Sequence, residues 1–202
     1  FAVLKERQIP MTPKSFAVGF RVEHPQQMIN ENQYGKDADQ TLLPTAFYKL
    51  ACQTSYGRNV YSFCMCPGGY VVNASSEEGL LAVNGMSYRA RDSKNANTPI
   101  IVSVTPEDFK DPSDPLSGIE FQRMLEKKAW RAGNGKIPQQ RFGDFERCAG
   151  NSAGLLPETA PQFESCTNGE ASSTDLSDIF PQEINRAFLE GVHSFGEKIE
   201  NF

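Results

Sequence analysis

An α+β fold is the class this sequence predicts: an antiparallel sheet, or a small barrel-like version of one, in the first half and helices in the second. Three observations carry it. Residues 15–23 alternate, with Phe16, Val18, Phe20 and Val22 on one side and Ala17, Gly19, Arg21 and Glu23 on the other; that is the period of a half-buried strand. Residues 61–104 hold apolar, β-rich runs joined by turn chemistry, and Gly and Pro at such links reverse the chain sharply. Residues 116–132 and 181–199 repeat apolar residues at three- and four-residue steps, as a helix with one buried face does. Strands followed by helices give a segregated arrangement, read here as one domain with a β-rich portion 1–110 and a helical portion 111–202.

Residues 1–7 look like a helix remnant, after which Pro10 and Pro13 force an extended path. The strand over 15–23 ends at His24-Pro25. Residues 26–34 suit one or two helical turns, and 35–43 read as a polar loop. Residues 44–52 fit either a short strand or a helical turn. The runs 60–66, 70–74, 80–83 and 99–104 predict four strands. Their links are Pro67-Gly68-Gly69, residues 75–79 and a long loop over 84–98. Asp114, with Pro115 behind it, can cap a helix over 116–132, whose buried face carries Phe121, Met124, Leu125 and Ala129; Gly133-Asn134-Gly135 stops it. Residues 137–148 predict a shorter helix after Pro138, 149–173 an irregular surface excursion, and 175–180 one helical turn. The clearest helix is 181–199, on Ile184, Phe188, Val192, Phe195 and Ile199.

With 202 residues the chain can bury a core of its own. A net charge of -5 without a Lys/Arg-dense patch argues mildly against nucleic acid as a partner. No apolar run approaches the roughly 20 residues that span a bilayer, so no membrane partner is expected. No charged-then-apolar leader opens the chain. The five cysteines are irregularly spaced and the two histidines far apart, unlike the paired clusters of a zinc site. No metal is expected, and reduced cysteines suit a cytoplasmic protein. The chain opens on FAVLKERQIPM without methionine and stops at Phe202, which suggests a piece of a longer polypeptide.

The sharpest local chemistry is Cys64-Met65-Cys66-Pro67-Gly68-Gly69. On a strand, Cys64 and Cys66 would share a face and could present thiols to a redox site, activated by a nearby positive group. Taken on residue type alone, packing is the favoured reading: two small buried hydrophobes before a glycine turn. Residues 84–92, with Asn84, Ser87, Arg89 and Arg91, could orient an anion through guanidinium donors, or could be a surface loop whose Asn and Asp satisfy their own backbone. Arg21 and Glu23 share a strand face, and His24 could carry a proton near neutral pH, although a surface ion pair and a strand-end histidine is the commoner arrangement. His193 falls on the polar flank of the last helix. No G-x-G-x-x-G before a helix, no G-x-S-x-G and no P-loop occurs.

FAVGFRVEHPQ (16–26), YSFCMCPGGYVVNASSEEG (61–79), NGMSYRARDSKNAN (84–97) and PLSGIEFQRMLEKKAW (115–130) together resemble the uncharacterised bacterial FAD-dependent dehydrogenases, also called NAD(FAD)-utilising dehydrogenases. The resemblance runs in order through most of the chain. It implies a middle, substrate-side domain inserted between two halves of a Rossmann-type flavin-binding domain, with Phe1 and Phe202 close together at one edge. It also implies FAD in the full-length parent, with NAD(P)H a candidate electron donor, and no tight FAD binding by this chain alone. The implied partners are the flavin-binding domain of the same polypeptide and a small-molecule substrate. The implied role is a substrate-binding cap over the flavin of a dehydrogenase whose substrate is unassigned. Within it, Cys64 and Cys66 would be catalytic. Arg21, His24, Asn84, Ser87, Arg89 and Asn97 would bind substrate, and Pro67, Gly68 and Gly69 would meet the cofactor. Arg89 or Arg91 is expected near the thiols. The reading from a different class is a non-catalytic protein-interaction module.

Overall fold

A computed structural model describes residues 1–37, 39, 42–150 and 163–202. A short helix α1 (Ala2–Glu6) precedes strand β1 (Phe16–Pro25) and helix α2 (Gln26–Tyr34). Strands β2 (Ala51–Gln53), β3 (Asn59–Ser62), β4 (Gly69–Asn73), β5 (Val83–Ser87) and β6 (Asn95–Val104) follow. Then come α3 (Ser117–Ala132), β7 (Ile137–Gln139), α4 (Phe142–Ala149), β8 (Thr167–Asn168), β9 (Ala171–Ser173) and α5 (Gln182–Gly196). The fold is α+β, as its residue patterns predict, with helices towards the C-terminal side and no closed barrel among the described residues.

The main sheet is antiparallel with order β1-β6-β3-β2. β1 and β6 pair along their whole length, from Phe16 opposite Val104 to Pro25 opposite Asn95. A second sheet has order β5-β4-β8, with β4 and β5 antiparallel and β8 parallel to β4. β7 and β9 form a parallel pair.

Alternation along β1 sends Phe16, Val18, Phe20 and Val22 into the helical layer, where they pack on the core formed by β3, β6, α3, α4 and α5. Phe20 sits in an aromatic nest with Phe145, Phe180 and Phe188 at centroid distances of 5.2, 4.6 and 5.3 Å. Phe16, Phe109 and Phe121 make a second nest at the other end. Such aromatic pairs, stacked, tilted or edge-to-face, add roughly 0.5–1.5 kcal/mol each beyond burial. Helix α5 lies directly on β3: a Cβ on Gly191 would stand 2.4 Å from Val60 Cγ1. Arg58 clamps the loop after β6, donating to both Asp108 oxygens and to the Ser103 carbonyl.

Several local expectations change. Residues 137–148 are strand then helix, because Pro138 has no amide to extend a helix. Ile137 N–H instead donates to the Glu170 carbonyl, and Gln139 accepts from Thr174 N–H. Leu80 to Ala82 are not strand: Leu81 N–H donates to Glu126 O on α3, and β5 starts only at Val83. The expected loop 84–98 therefore contains most of β5 and the start of β6. Residues 44–52 resolve as loop entering β2. The excursion expected over 149–173 falls partly outside the described residues, at 151–162, and carries β8 and β9 beyond them. The two chain ends are not neighbours. Lys5 is tied to Asp114, near the Phe16 end of β1, while Phe202 packs on His24 at the other end.

The α5–β3 contact yields a paired stability test. Gly191→Ala should destabilise the fold by about 1–3 kcal/mol, the range for overpacking a tight core. Gly196→Ala, whose Cβ would meet nothing within 4 Å, should be neutral or stabilise by up to about 1 kcal/mol through helix propensity. Urea denaturation of both variants checks the contrast; equal midpoints would show that α5 can shift away from Val60 without cost.

Candidate functional site

The register that buries Phe20 and Val22 turns Arg21 and Glu23 to the opposite face of the sheet. There they meet residues of β6: Arg21 is opposite Pro99, and Glu23 opposite Asn97. Sheet β5-β4-β8 approaches over this face. The approach is closest at Gly85, where a Cβ would lie 2.3 Å from Arg21 Nη1, 2.3 Å from Asn97 Oδ1 and 2.7 Å from Cys66 Sγ. The absent side chain lets one strand descend onto a guanidinium, an amide and a thiol.

Arg21 Nη1 donates to Asn97 Oδ1 at 2.8 Å, and Nη2 to Asn84 Oδ1 at 3.0 Å. Both acceptors are neutral. Among the described residues no carboxylate forms an ion pair with Arg21. Its neighbour Glu23 is already engaged by Cys166 N–H, Asn95 Nδ2 and the Ser165 hydroxyl. Two donors in the cluster, Arg21 Nε and Asn97 Nδ2, are buried without a partner, although Asn97 is 0 % exposed and buried donors are almost always satisfied. Burial lowers the Arg21 pKa from its ordinary value, with the Cys66 and Cys64 sulfurs acting in the opposite direction.

The cysteine segment differs from its strand expectation. β3 ends at Ser62, and Cys64 takes a left-handed backbone with φ 48°, so Cys64 and Cys66 do not alternate along one strand. Cys66 instead bridges to Asn97 by two backbone bonds of 2.7 and 3.1 Å, and its thiol donates to the Cys64 carbonyl. Cys64 is exposed and Cys66 half-buried; none of the five cysteines is in a disulfide. The arginine beside Cys66 is Arg21, where Arg89 or Arg91 was expected. Arg89 stands exposed in the turn after β5. Arg91 closes that turn with φ 52°, its carbonyl under Gly68.

Pro67, Gly68 and Gly69 are buried. Gly68 N–H donates to Gln26 Oε1, Ser87 Oγ donates to the Pro67 carbonyl, and Ser93 N–H to the Gly68 carbonyl. The turn is thus packed against protein, and Ser87 serves it. His24 is on the other face from Arg21, 7 % exposed, bonded through Nε2 to Tyr48 Oη at 2.8 Å and packed on Phe202. The structure therefore gathers Arg21, Asn84, Asn97 and Cys66, with Cys64 beside them. Ser87 Oγ stands beside Cys66 at the turn, since a Cβ on Gly69 would meet Ser87 Oγ at 2.7 Å and Cys66 Cβ at 3.1 Å, whereas His24 lies on the other face and Arg89 is exposed in its turn. Gly85 and Gln26 were not foreseen; Asn84-Gly85 reads locally as a turn dipeptide, which hides a strand glycine.

Among the described residues, no group of three or more His, Cys, Asp or Glu is placed to hold a metal ion, and no helix is long and apolar enough to cross a membrane. The family described as "FAD-dependent protein, C-terminal domain-like" matches residues 15–202. An "Uncharacterized protein" of Clostridium beijerinckii is 42% identical over 207 residues, covering 100% of this chain and 37% of that relative. The chain thus spans little more than a third of the length of the curated relative that it matches. The family description names a C-terminal domain, where the resemblance implied one inserted in mid-chain; the FAD-dependent context is common to both.

His24 gives a pH test. Burial pulls its pKa down to about 4 from 6.5, and raises that of Tyr48. The folded state therefore binds the proton less well than the unfolded chain. The neutral-histidine contribution is complete above pH 6.5 and is lost as pH falls towards 4, by up to about 3 kcal/mol. Denaturant unfolding of the wild type and of His24→Gln, which keeps an acceptor for Tyr48, should show the difference in pH slope in this window. Parallel slopes would mean that His24 is protonated at no cost in the fold.

Proposed function

The chain belongs to the family described as FAD-dependent protein, C-terminal domain-like, and on that premise we propose that it is the substrate-side cap of a longer flavoprotein oxidoreductase. The face carrying Arg21, Asn84, Asn97, Cys64 and Cys66 is the face turned to the flavin. The observation that carries this is the pair of buried donors left without acceptors, Arg21 Nε and Asn97 Nδ2, set beside the Cys66 thiol in the seam where the second sheet meets the main one. Donors held ready in a partly water-excluded place are what a substrate or cofactor oxygen requires.

The donor set fits an oxygen acceptor. It does not fit a pyrophosphate, since the sequence has no glycine-rich strand–turn–helix to cradle one. FAD would be held by the rest of the parent polypeptide, and when bound it supplies hydride acceptance or donation. This chain's part is to orient substrate through Arg21, Asn84 and Asn97 and to exclude water. Cys66 lies where a proton could be given or taken. The buried turn Pro67-Gly68-Gly69 acts by seating Cys66 against Asn97. A non-catalytic docking role is the second reading. It is favoured by exposed Phe47 and Phe63, 66 % and 61 % accessible.

Alkylation of exposed Cys64 separates the two. In this chain alone Cys64 should react readily with iodoacetamide. In the full-length holoprotein it should be protected by about tenfold or more, since thiol reactivity follows access, and removal of FAD should restore the reaction. Protection that survives FAD removal would favour the docking role. Equal rates in the chain and the holoprotein would overturn both.

A further inference from the structure

The Arg21 cluster has an unusual charge balance. A guanidinium taken largely out of water normally faces a carboxylate, because an unpaired charge is costly to desolvate. Here, among the described residues, its side-chain partners are the amide oxygens of Asn97 and Asn84 and the Cys66 thiol, none of them a carboxylate, and its Nε and the fully buried Asn97 Nδ2 have no partner. Asn84 is exposed, and its Oδ1 already accepts from Arg21 and from Gly85 N–H; its Nδ2 is left to face solvent as a further donor.

The neighbouring surface is apolar. Arg21 is opposite Pro99, and the Pro99 carbonyl accepts from Phe63 N–H on the far side. The sheet order β1-β6-β3 thus lines up Arg21, Pro99 and Phe63 in one row on one face. Two strand spacings separate the ends of that row, roughly 10 Å. A positive, donor-rich end and an exposed aromatic end are joined by a proline.

Resting on the cap reading above, we infer that the ligand of this face is an organic carboxylate with an apolar, aromatic-sized body. The carboxylate oxygens lie on the Arg21 guanidinium and Asn84 Nδ2. The body lies over Pro99 against Phe63. The anion supplies the charge that the fold withholds from Arg21, and charge-assisted bonds to a guanidinium fork are the strong class. Phe63 sets the preference for a body over a bare anion. No bond is made or broken in this step.

The probes are 3-phenylpropanoate, its neutral amide, and acetate, titrated into this chain and followed by amide chemical shifts. The acid should bind saturably, and at least about tenfold more tightly than the amide or acetate. Arg21→Met, which keeps the stem, should abolish that preference. Should Arg21→Met fail to fold, Asn84→Ala at the exposed edge should weaken the acid severalfold. Phe63→Ser should bring 3-phenylpropanoate down to the level of acetate. Equal affinity for acid and amide, no saturation, or an Arg21→Met chain that binds as wild type overturns the inference. So does an ultraviolet thiolate band that Cys66→Ala removes, since the counter-charge would then be internal. Flavin plays no part in these titrations. Cys64 protected in the holoprotein with no carboxylate binding leaves the cap reading standing without this ligand. Binding with Cys64 unprotected does the reverse.

Discussion

The pairing of β1 with β6 is the constraint on which the remaining structure depends. Ten residues of each strand are in register, and β6 is buried over most of its length. With period two, one slip would exchange the faces, sending Phe20 to the polar seam and Arg21 into the aromatic nest. Close pairing is enforced at Gly19, where a Cβ would strike the Ile100 carbonyl at 1.9 Å. Hydrophobic sorting and a glycine contact thus select the same register, and every contact of the helical layer follows from it.

The two faces are solved by different physics. The helical face is dry and aromatic, and its energetics are those of area and fit. The other face holds a polar seam beneath the second sheet, where each group must find a partner. Glu23 does so, with donors from Cys166, Asn95 and Ser165, and by doing so it ties β8 to the main sheet. Arg21, two residues earlier on the same strand, has no such closure. Only in a seam where nearly everything else is satisfied does an unsatisfied guanidinium stand out from an ordinary surface arginine.

The elements legible in the sequence are those set by periodicity alone. β1, α3 and α5 stand close to where alternation or three- and four-residue steps place them, and α2 falls on the 26–34 segment read as one or two helical turns. The misreadings share a cause: partners distant in sequence override a local pattern. Pro138 pairs in parallel with Ser172, Leu81 is taken by Glu126 of α3, and Cys66 leaves β3 to bridge Asn97. Of the site, Arg21, Asn84, Asn97 and the thiols could be picked by residue type. Alternation already puts His24 on the face away from Arg21, but the gathering could not be read, because it depends on which strand β6 pairs with and on how closely Gly85 lets β5 approach.

That close approach also explains why the seam keeps neutral amides around its cation. An aspartate at either amide position would neutralise Arg21 and leave nothing for an incoming anion. If this face takes an anion, as proposed, the guanidinium is best held by groups that orient it without cancelling its charge, and an amide oxygen does this by accepting hydrogen bonds while leaving the monopole intact. Asn97 is fixed by its backbone bridge to Cys66, and Asn84 by its bond to Gly85 N–H, so the fork is aimed before any ligand arrives. Orientation by fixed dipoles costs little reorganisation on binding. The same arrangement holds the Cys66 sulfur beside the guanidinium, so an anion bound there would reduce the positive field that the thiol experiences.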